Sequence, residues 1–579
     1  MQFRPGEPGY EEELAGFNRI VSHRPALVAA VTSVAEVRAA VRYAAERGMP
    51  VAVQSTGHGP AAAVGADSLL LSVRRLRGVH VDPAARTARV AAGTRWQEVI
   101  DAAAPHGLAP LCGSSPLVGV VGYTLGGGLG PVARTYGYAA DHVTAVSLVT
   151  ADGRAREVTA EREPELFWAL RGGGKSGFGV VTALTFRLVP VARLYGGGLR
   201  FAGADAAAVL GAWRRVAEGA PEELTTSVAL LRLPGEARGL TVHVRVALVA
   251  GPPGSESESE ALGERLTRPL REAAAPLADT VRIRPYSTVA EIHEDPVDPM
   301  PYHERGILLR EFGPDAEAAL LAAAGPGAEC GDWVVELRHL GGAASRTPAV
   351  PNAVGSRAGA FALTTVAPPG TDSGVRTALA GWSTGGRYVN FLAGPDTESL
   401  TAEAYDAETY TRLRALKAAY DPADVFRHGH ALPPAGAANR AGAAPGGAPD
   451  APAGAGAAGR AGPGGPVPPG TGRPDPGGQR APAPDGPPEP GGAALPDSPE
   501  SGDARAASAG TGGTAPAGAA GPGAAGATGA PVSDASGPAA STASTASTAS
   551  AGSAGSTGSA ASAGSTGAPA GTRTPRRVS

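Results

Sequence analysis

A chain of 579 residues with a formal charge of −4 presents no basic surface for nucleic acid, and its arginines are scattered. No apolar run reaches the length of a membrane-spanning helix, and the acidic opening MQFRPGEPGYEEELAGF lacks the order of a secretory signal. The only two cysteines, Cys112 and Cys330, stand outside any zinc-type cluster, so a cytoplasmic chain without a metal is expected.

The first predicted elements form a βαβ-like opening. ALVAAVT is a short apolar run. Ser33 follows as a helix N-cap, with Glu36 completing a capping box. Val34, Val37 and Val41 recur at helical spacing, and Gly48 stands where the helix should stop. MPVAVQS then reads as a buried strand. Strands are predicted at SLLLSV, GVHVD, TARVAAG, TAVSLVTADG and GVVTALTFRLVP, with a helix over TRWQEVIDAAAPHG. The region closes near Pro190.

A second region, 193–384, changes character. Val242, Val244, Val246 and Leu248 alternate with His243, Arg245 and Ala247, the pattern of a half-buried strand. WVVELRHLGG and GAFALTTVA read as further strands and ALGERLTRPLREAAAPL as a helix. The acidic SESESE (255–260) reads as a solvated loop. The mixture predicts an antiparallel sheet with helices on one face. A closing segment, 385–434, precedes a tail. From 435 to 579 the chain is almost wholly Ala, Gly, Pro, Ser and Thr. Such a composition cannot bury enough apolar surface to offset its ordering entropy, so disorder is expected there.

Glycine-rich motifs carry the functional signal. GGGKSG (172–177) fits G-x-G-x-x-G, but a helix precedes it and a strand follows, the reverse of a dinucleotide fingerprint. In LGGGLG (125–130), Pro131 stands where a third spaced glycine would be needed. Three successive glycines there are either a tight turn or a backbone that approaches a flat or phosphorylated ligand. With Gly119 and Gly122 nearby, the ligand reading is favoured. VQSTGHG (53–59) can expose successive backbone N–H groups as a phosphate nest. His58 inside it is either a plain turn histidine or a ligand contact. HGH (428–430) lacks a carboxylate partner in sequence and is weak evidence for a metal.

Together these pieces resemble the FAD-linked oxidase family with a vanillyl-alcohol-oxidase-type flavin domain, in the branch of berberine bridge enzyme and 6-hydroxynicotine oxidase. The residues that carry the likeness are RPALVAAVTSVAEVRAAVRYAAERGMPVAVQSTGHG, SPLVGVVGYTLGGGLG, YGYAADHVTAVSLVTADG, LFWALRGGGKSGFGVVT, RYVNF and YDPADVFRHGHALPP, in order. The resemblance implies an α+β fold. A PCMH-type FAD-binding domain is built from 1–192 and 385–434, and a substrate domain, 193–384, has an antiparallel sheet covered by helices. It implies that Ser55, Thr56, Gly57, His58 and Gly59 bind the cofactor. It extends that role to Ser115, Val118, Gly119, Gly122, Gly127, Gly128, Asp141, Gly179, Val181 and Asn390. His58 is the flavin-linking histidine of the resemblance. Ser115 stands where doubly tethered relatives carry a cysteine, so one covalent bond is implied. Gln54, Thr56, Phe391 and Asp424 also depart from common family residues. Tyr388 of the Tyr-x-Asn motif is the implied proton acceptor near the ring. The implied reaction is hydride transfer from a small alcohol, sugar, amine or secondary metabolite to FAD, with O2 as electron acceptor. Two alternatives stand beside it: a dehydrogenase of the same fold, and a non-catalytic flavin-binding protein.

Overall fold

The computed structural model describes residues 1–234, 239–249, 254–355 and 357–437. The tail expected to be disordered lies outside the described residues, apart from its first three positions.

Three sheets organise the described residues. The opening βαβ unit forms a four-stranded sheet in the order Gln2–Phe3, Leu27–Ala30, Leu69–Ser72, Val51–Gln54. Its last three strands are parallel. Parallel pairing needs a crossover, and the helix Val34–Glu46 supplies it. Ser33 Oγ accepts the Glu36 N–H at 3.2 Å, and Gly48 ends the helix at φ 63°. Val37, Ala40, Val41 and Ala44 are buried at its inner face, whereas Val34 is exposed. A five-stranded antiparallel sheet follows, in the order Val79–Asp82, Thr87–Ala91, Val180–Arg187, Val143–Val149, Ala155–Val158.

The second region forms a nine-stranded antiparallel sheet. Its main path runs Ala278–Asp279, Arg193–Ala202, Thr241–Leu248, Leu224–Leu231, Val334–His339, Phe361–Ala367, His303–Leu309, Leu392–Ala393. Helices Ala206–Glu218, Glu256–Ala273 and Pro314–Ala324 cover one face. Trp213 meets Phe312 and Phe361 there, with ring centroids 6.2 and 6.0 Å apart. Each such buried aromatic contributes on the order of 1.5–3 kcal/mol. The strand expected to be half-buried, Thr241–Leu248, is buried at every residue. Its valines join the helix-side core, and its polar face packs inside the molecule. SESESE is not a loop: Glu256 opens the helix, with Glu256 and Glu258 in its first turn, where negative charge suits the helix N-terminus. Leu392–Ala393 of the closing segment pairs with Glu304–Arg305 of the nine-stranded sheet. That segment therefore joins the two regions.

Candidate active site

The inner face of the nine-stranded sheet looks onto a cavity of about 510 Å³. The opposite wall comes from the loop after strand Val51–Gln54, the segment 113–123 that runs into the helix Val120–Leu125, and the turn Gly174–Gly177. The loop 55–59 is tied to Phe17 and Asn18, whose N–H groups donate to Thr56 O and Gly57 O, each at 2.9 Å. Gly57 holds φ 66°, and a Cβ there would lie 2.5 Å from Gly16 Cα, so glycine is required.

His58 is fixed on several sides. Its ring stacks on Phe17 at 4.2 Å and 9°. Its Nδ1 lies 2.9 Å from Thr56 Oγ1, which also accepts the Gly119 N–H at 3.3 Å. Its carbonyl accepts from Tyr302 OH at 2.9 Å. Thr56 Oγ1 has a second lone pair for an Nδ1–H, the tautomer that leaves the Nε2 pair free. Nε2 itself is buried with no hydrogen-bond partner among the described residues. Burial, then the charge of Arg95, pushes the imidazole down to about 4, so it is neutral at physiological pH.

The two cavity loops fit a large flat ligand with polar ends. Ser55 Oγ, Tyr123 OH and Asn390 Oδ1 are also buried without partners, and all three residues line the cavity. Such orphaned groups are costly unless something else satisfies them. Gly59 and Gly122 line the cavity too, and a Cβ on either would meet no atom within 4 Å. A side chain there would occupy the open space. The family described as "FAD binding domain" matches residues 25–159, and "Berberine and berberine like" matches 387–433. The chain is 29% identical to (R)-6-hydroxynicotine oxidase of Paenarthrobacter nicotinovorans, over 74% of this chain and 97% of that one.

This chain is an FAD-linked oxidoreductase, similar to the berberine-bridge-enzyme-like family.

The crystal structure of 6-hydroxy-D-nicotine oxidase from Arthrobacter nicotinovorans superposes with a TM-score of 0.62 at 26% identity, covering 74% of this chain and 97% of that one. Xylooligosaccharide oxidase from Myceliophthora thermophila shares the fold, with a TM-score of 0.63 at 20% identity over 75% and 97% of the two chains.

In this FAD-linked oxidoreductase, Ser55, Thr56, Gly57, His58, Gly59, Ser115, Val118, Gly119, Gly122, Gly179, Val181 and Asn390 all line the cavity. Gly127, Gly128, Asp141 and Tyr388 are not among the lining residues. The triple glycine is explained by packing against protein. A Cβ on Gly126 would lie 2.1 Å from Asn390 Oδ1, and one on Gly128 would lie 2.6 Å from the Tyr123 ring. Asp141 is a structural tie. It caps Tyr138 N–H at 3.0 Å and pairs with Arg357 at 2.5 Å. Tyr388 is 2% exposed, and its hydroxyl accepts from Asn390 Nδ2 at 3.1 Å. Burial, then Tyr138, pushes its phenol up, away from any role as a base at neutral pH. A general base is worth on the order of 10²–10⁴-fold. Tyr388→Phe is therefore expected to slow anaerobic flavin reduction by far less than that. A loss of about 10²-fold would return Tyr388 to the chemistry.

Cys112 is fully buried with its Sγ 3.4 Å from Tyr286 OH, and burial pushes its thiol up to about 11. It does not line the cavity. The histidines of HGH are occupied: His428 Nε2 is 3.0 Å from Ser68 Oγ, and His430 Nε2 is 2.8 Å from Leu392 O. Among the described residues, no group of three or more His, Cys, Asp or Glu could hold a metal.

The structure adds residues that sequence reading missed. Lys175, Tyr302, Glu304, Glu336, Arg338 and His293 line the cavity. Glu336 accepts from Ser227 Oγ at 2.8 Å, Arg245 at 2.7 Å and Arg338 Nε at 2.9 Å. Burial alone would raise its carboxyl, but Arg338 and Arg245 outweigh it and hold the group below the usual carboxylate range. Alternation in WVVELRH was the available signal, since it sets Glu336 and Arg338 on one face. Lys175 lay within GGGKSG, a motif set aside as a dinucleotide fingerprint. Glu304 had no local signal.

Proposed function

We propose that the chain oxidises a small alcohol, sugar, amine or secondary metabolite by hydride transfer to FAD held covalently through His58, with O2 as final acceptor. The observation that carries this reading is His58 itself: a neutral, immobilised imidazole on the cavity wall whose buried Nε2 has no hydrogen-bond partner among the described residues. Ser115 cannot form a thioether, and Cys112 is sealed away, which supports a single tether. Backbone N–H groups of the 55–59 and 115–122 loops would hold the cofactor, and Asn390 with its free Oδ1 would contact it. Bound FAD supplies a two-electron acceptor. The chain's own part is to orient the substrate, exclude water and take one proton.

Relatives named for oxidising hydroxynicotine and xylooligosaccharide support an organic substrate of modest size. The free cysteines Cys112 and Cys330 support a cytoplasmic setting. Purified protein given a panel of alcohols, amines and oligosaccharides, including 6-hydroxynicotine and xylobiose, should release one hydrogen peroxide per substrate oxidised. Turnover with an artificial dye but none with oxygen would make the protein a dehydrogenase. An intact flavin that no panel member reduces would sink the substrate class.

A further inference from the structure

Glu304 lies near the start of strand His303–Leu309, where register places it opposite Val366 and beside Ala393. Val366 in turn pairs with Val334, so Glu304, Val366 and Val334 form one row of the sheet. All three line the cavity. The next cavity-facing row carries Thr364 and Glu336, and Arg338 lies beyond it. Side chains alternate along a strand, so Arg305 points to the opposite face. There it pairs with Asp396 and leaves Glu304 alone.

The glutamates of this wall differ in one respect. Glu336 is saturated by Ser227, Arg245 and Arg338. Glu294 is paired with Arg200 at 2.7 Å. The Glu304 carboxylate has no hydrogen bond and no ion pair among the described residues, although it is only half-exposed within the cavity. Lys175 is its counterpart across the cavity, on the Gly174–Ser176 turn of the flavin-binding part. The Lys175 ammonium likewise has no hydrogen-bond or ion-pair partner among the described residues, while Asn390 Oδ1, also unpartnered, lines the same space. An acid and a base that face one space without neutralising each other are an unusual expense for a fold, since buried charges are normally paired.

We propose that Glu304 is the group that removes the substrate's hydroxyl or amine proton, with Lys175 facing it as counter-charge. This rests on the reading of the cavity as a flavin oxidoreductase site. As the substrate's O–H or N–H bond breaks, its proton goes to a Glu304 oxygen. The bond's electron pair forms the new C=O or C=N bond. The substrate's C–H hydrogen leaves as hydride with its electron pair, which bound FAD would accept. Glu304 then returns its proton to solvent. The charged and titratable groups around Glu304 are Lys175, Arg338, Asp295, Glu336 and Tyr302. Burial raises its carboxyl most, Arg338 and Lys175 lower it, and Asp295 and Glu336 raise it, leaving it near about 7. Burial lowers Lys175 to about 8, so it stays largely protonated where Glu304 ionises. A base poised near neutral pH suits proton abstraction.

The test uses the full-length holoprotein. Glu304→Gln should keep its flavin and its melting temperature, because no hydrogen bond is lost. Its anaerobic flavin reduction by a panel substrate should slow by about 10²–10⁴-fold. In the wild type, kcat/KM should rise with pH through an ionisation near about 7. That limb should vanish in Glu304→Gln, persist in Glu304→Asp with part of the rate restored, and move to higher pH in Lys175→Met. Infrared titration should reveal a protonated carboxyl that ionises near about 7 and is missing from Glu304→Gln. A wild-type rate in Glu304→Gln, survival of the limb, or absence of that infrared band overturns the assignment. A wild-type protein that carries no flavin sinks the cofactor reading instead, and the infrared band still decides Glu304.

Discussion

Acid-precipitated wild-type protein should stay yellow, while His58→Ala should release its flavin completely into the supernatant. The expectation follows from the imidazole's surroundings. Phe17 stacks on one face of the ring, Thr56 engages Nδ1, and Tyr302 holds the backbone carbonyl. Only Nε2 is left, and the ring is neutral, so its lone pair is available for bond formation. Protonation would consume that pair, so incorporation of FAD into apoprotein should slow as pH falls through about 4. With the tether gone, binding becomes an ordinary equilibrium. The stabilisation by FAD should then follow its free concentration, reaching about 2.7 kcal/mol at 100 times Kd, whereas wild-type stability should not depend on added FAD. A flavin peptide that maps to Cys112, or a wild-type supernatant that takes all the colour, would refute the tether.

Much of the flavin-binding part was legible because its signals are local. Ser33 and Gly48 bound one helix with cap chemistry that depends on a few neighbouring residues. The small residues of VQSTGHG likewise announce a loop with exposed N–H groups. What a glycine touches is a different matter. Gly122 borders open space, whereas Gly126 and Gly128 are crowded by Asn390 and Tyr123. The motif LGGGLG looks the same in either case, because the deciding neighbours lie in distant parts of the chain or at close quarters only after folding. Tyr388 misled for a similar reason. Tyr-x-Asn places Asn390 on the cavity wall and turns Tyr388 into a packed cluster with Tyr138 and Phe391. The Lys175–Glu304 juxtaposition was not legible at all. It depends on the register between His303–Leu309 and Phe361–Ala367, and on a turn more than a hundred residues away. SESESE failed differently: acidity alone suggested solvent, yet the same charges favour a helix start.

The largest loss of stability should come from Glu336. Its carboxylate is 6% exposed and accepts from Arg245, Arg338 and Ser227, with His293 at 3.8 Å. Arg245 is itself 5% exposed, and its Nε has no partner, so Glu336 is its principal compensation. Replacing an intact buried ion network with apolar groups can be nearly neutral, but removing one partner strands the others. Glu336→Ala should therefore cost about 3–5 kcal/mol in urea unfolding, by leaving two guanidinium groups without their shared anion. Glu336→Gln keeps the shape but not the charge and should lie between. The pH dependence has a definite sign. The folded carboxyl is held below its unfolded value, so its contribution is complete above about 4.3 and is lost as pH falls from there through the folded value. Wild-type protein should thus lose stability on acidification more steeply than Glu336→Gln. Equal slopes in the two proteins, or a cost under about 1 kcal/mol for Glu336→Ala, would mean that water or a rearranged neighbour compensates the arginines.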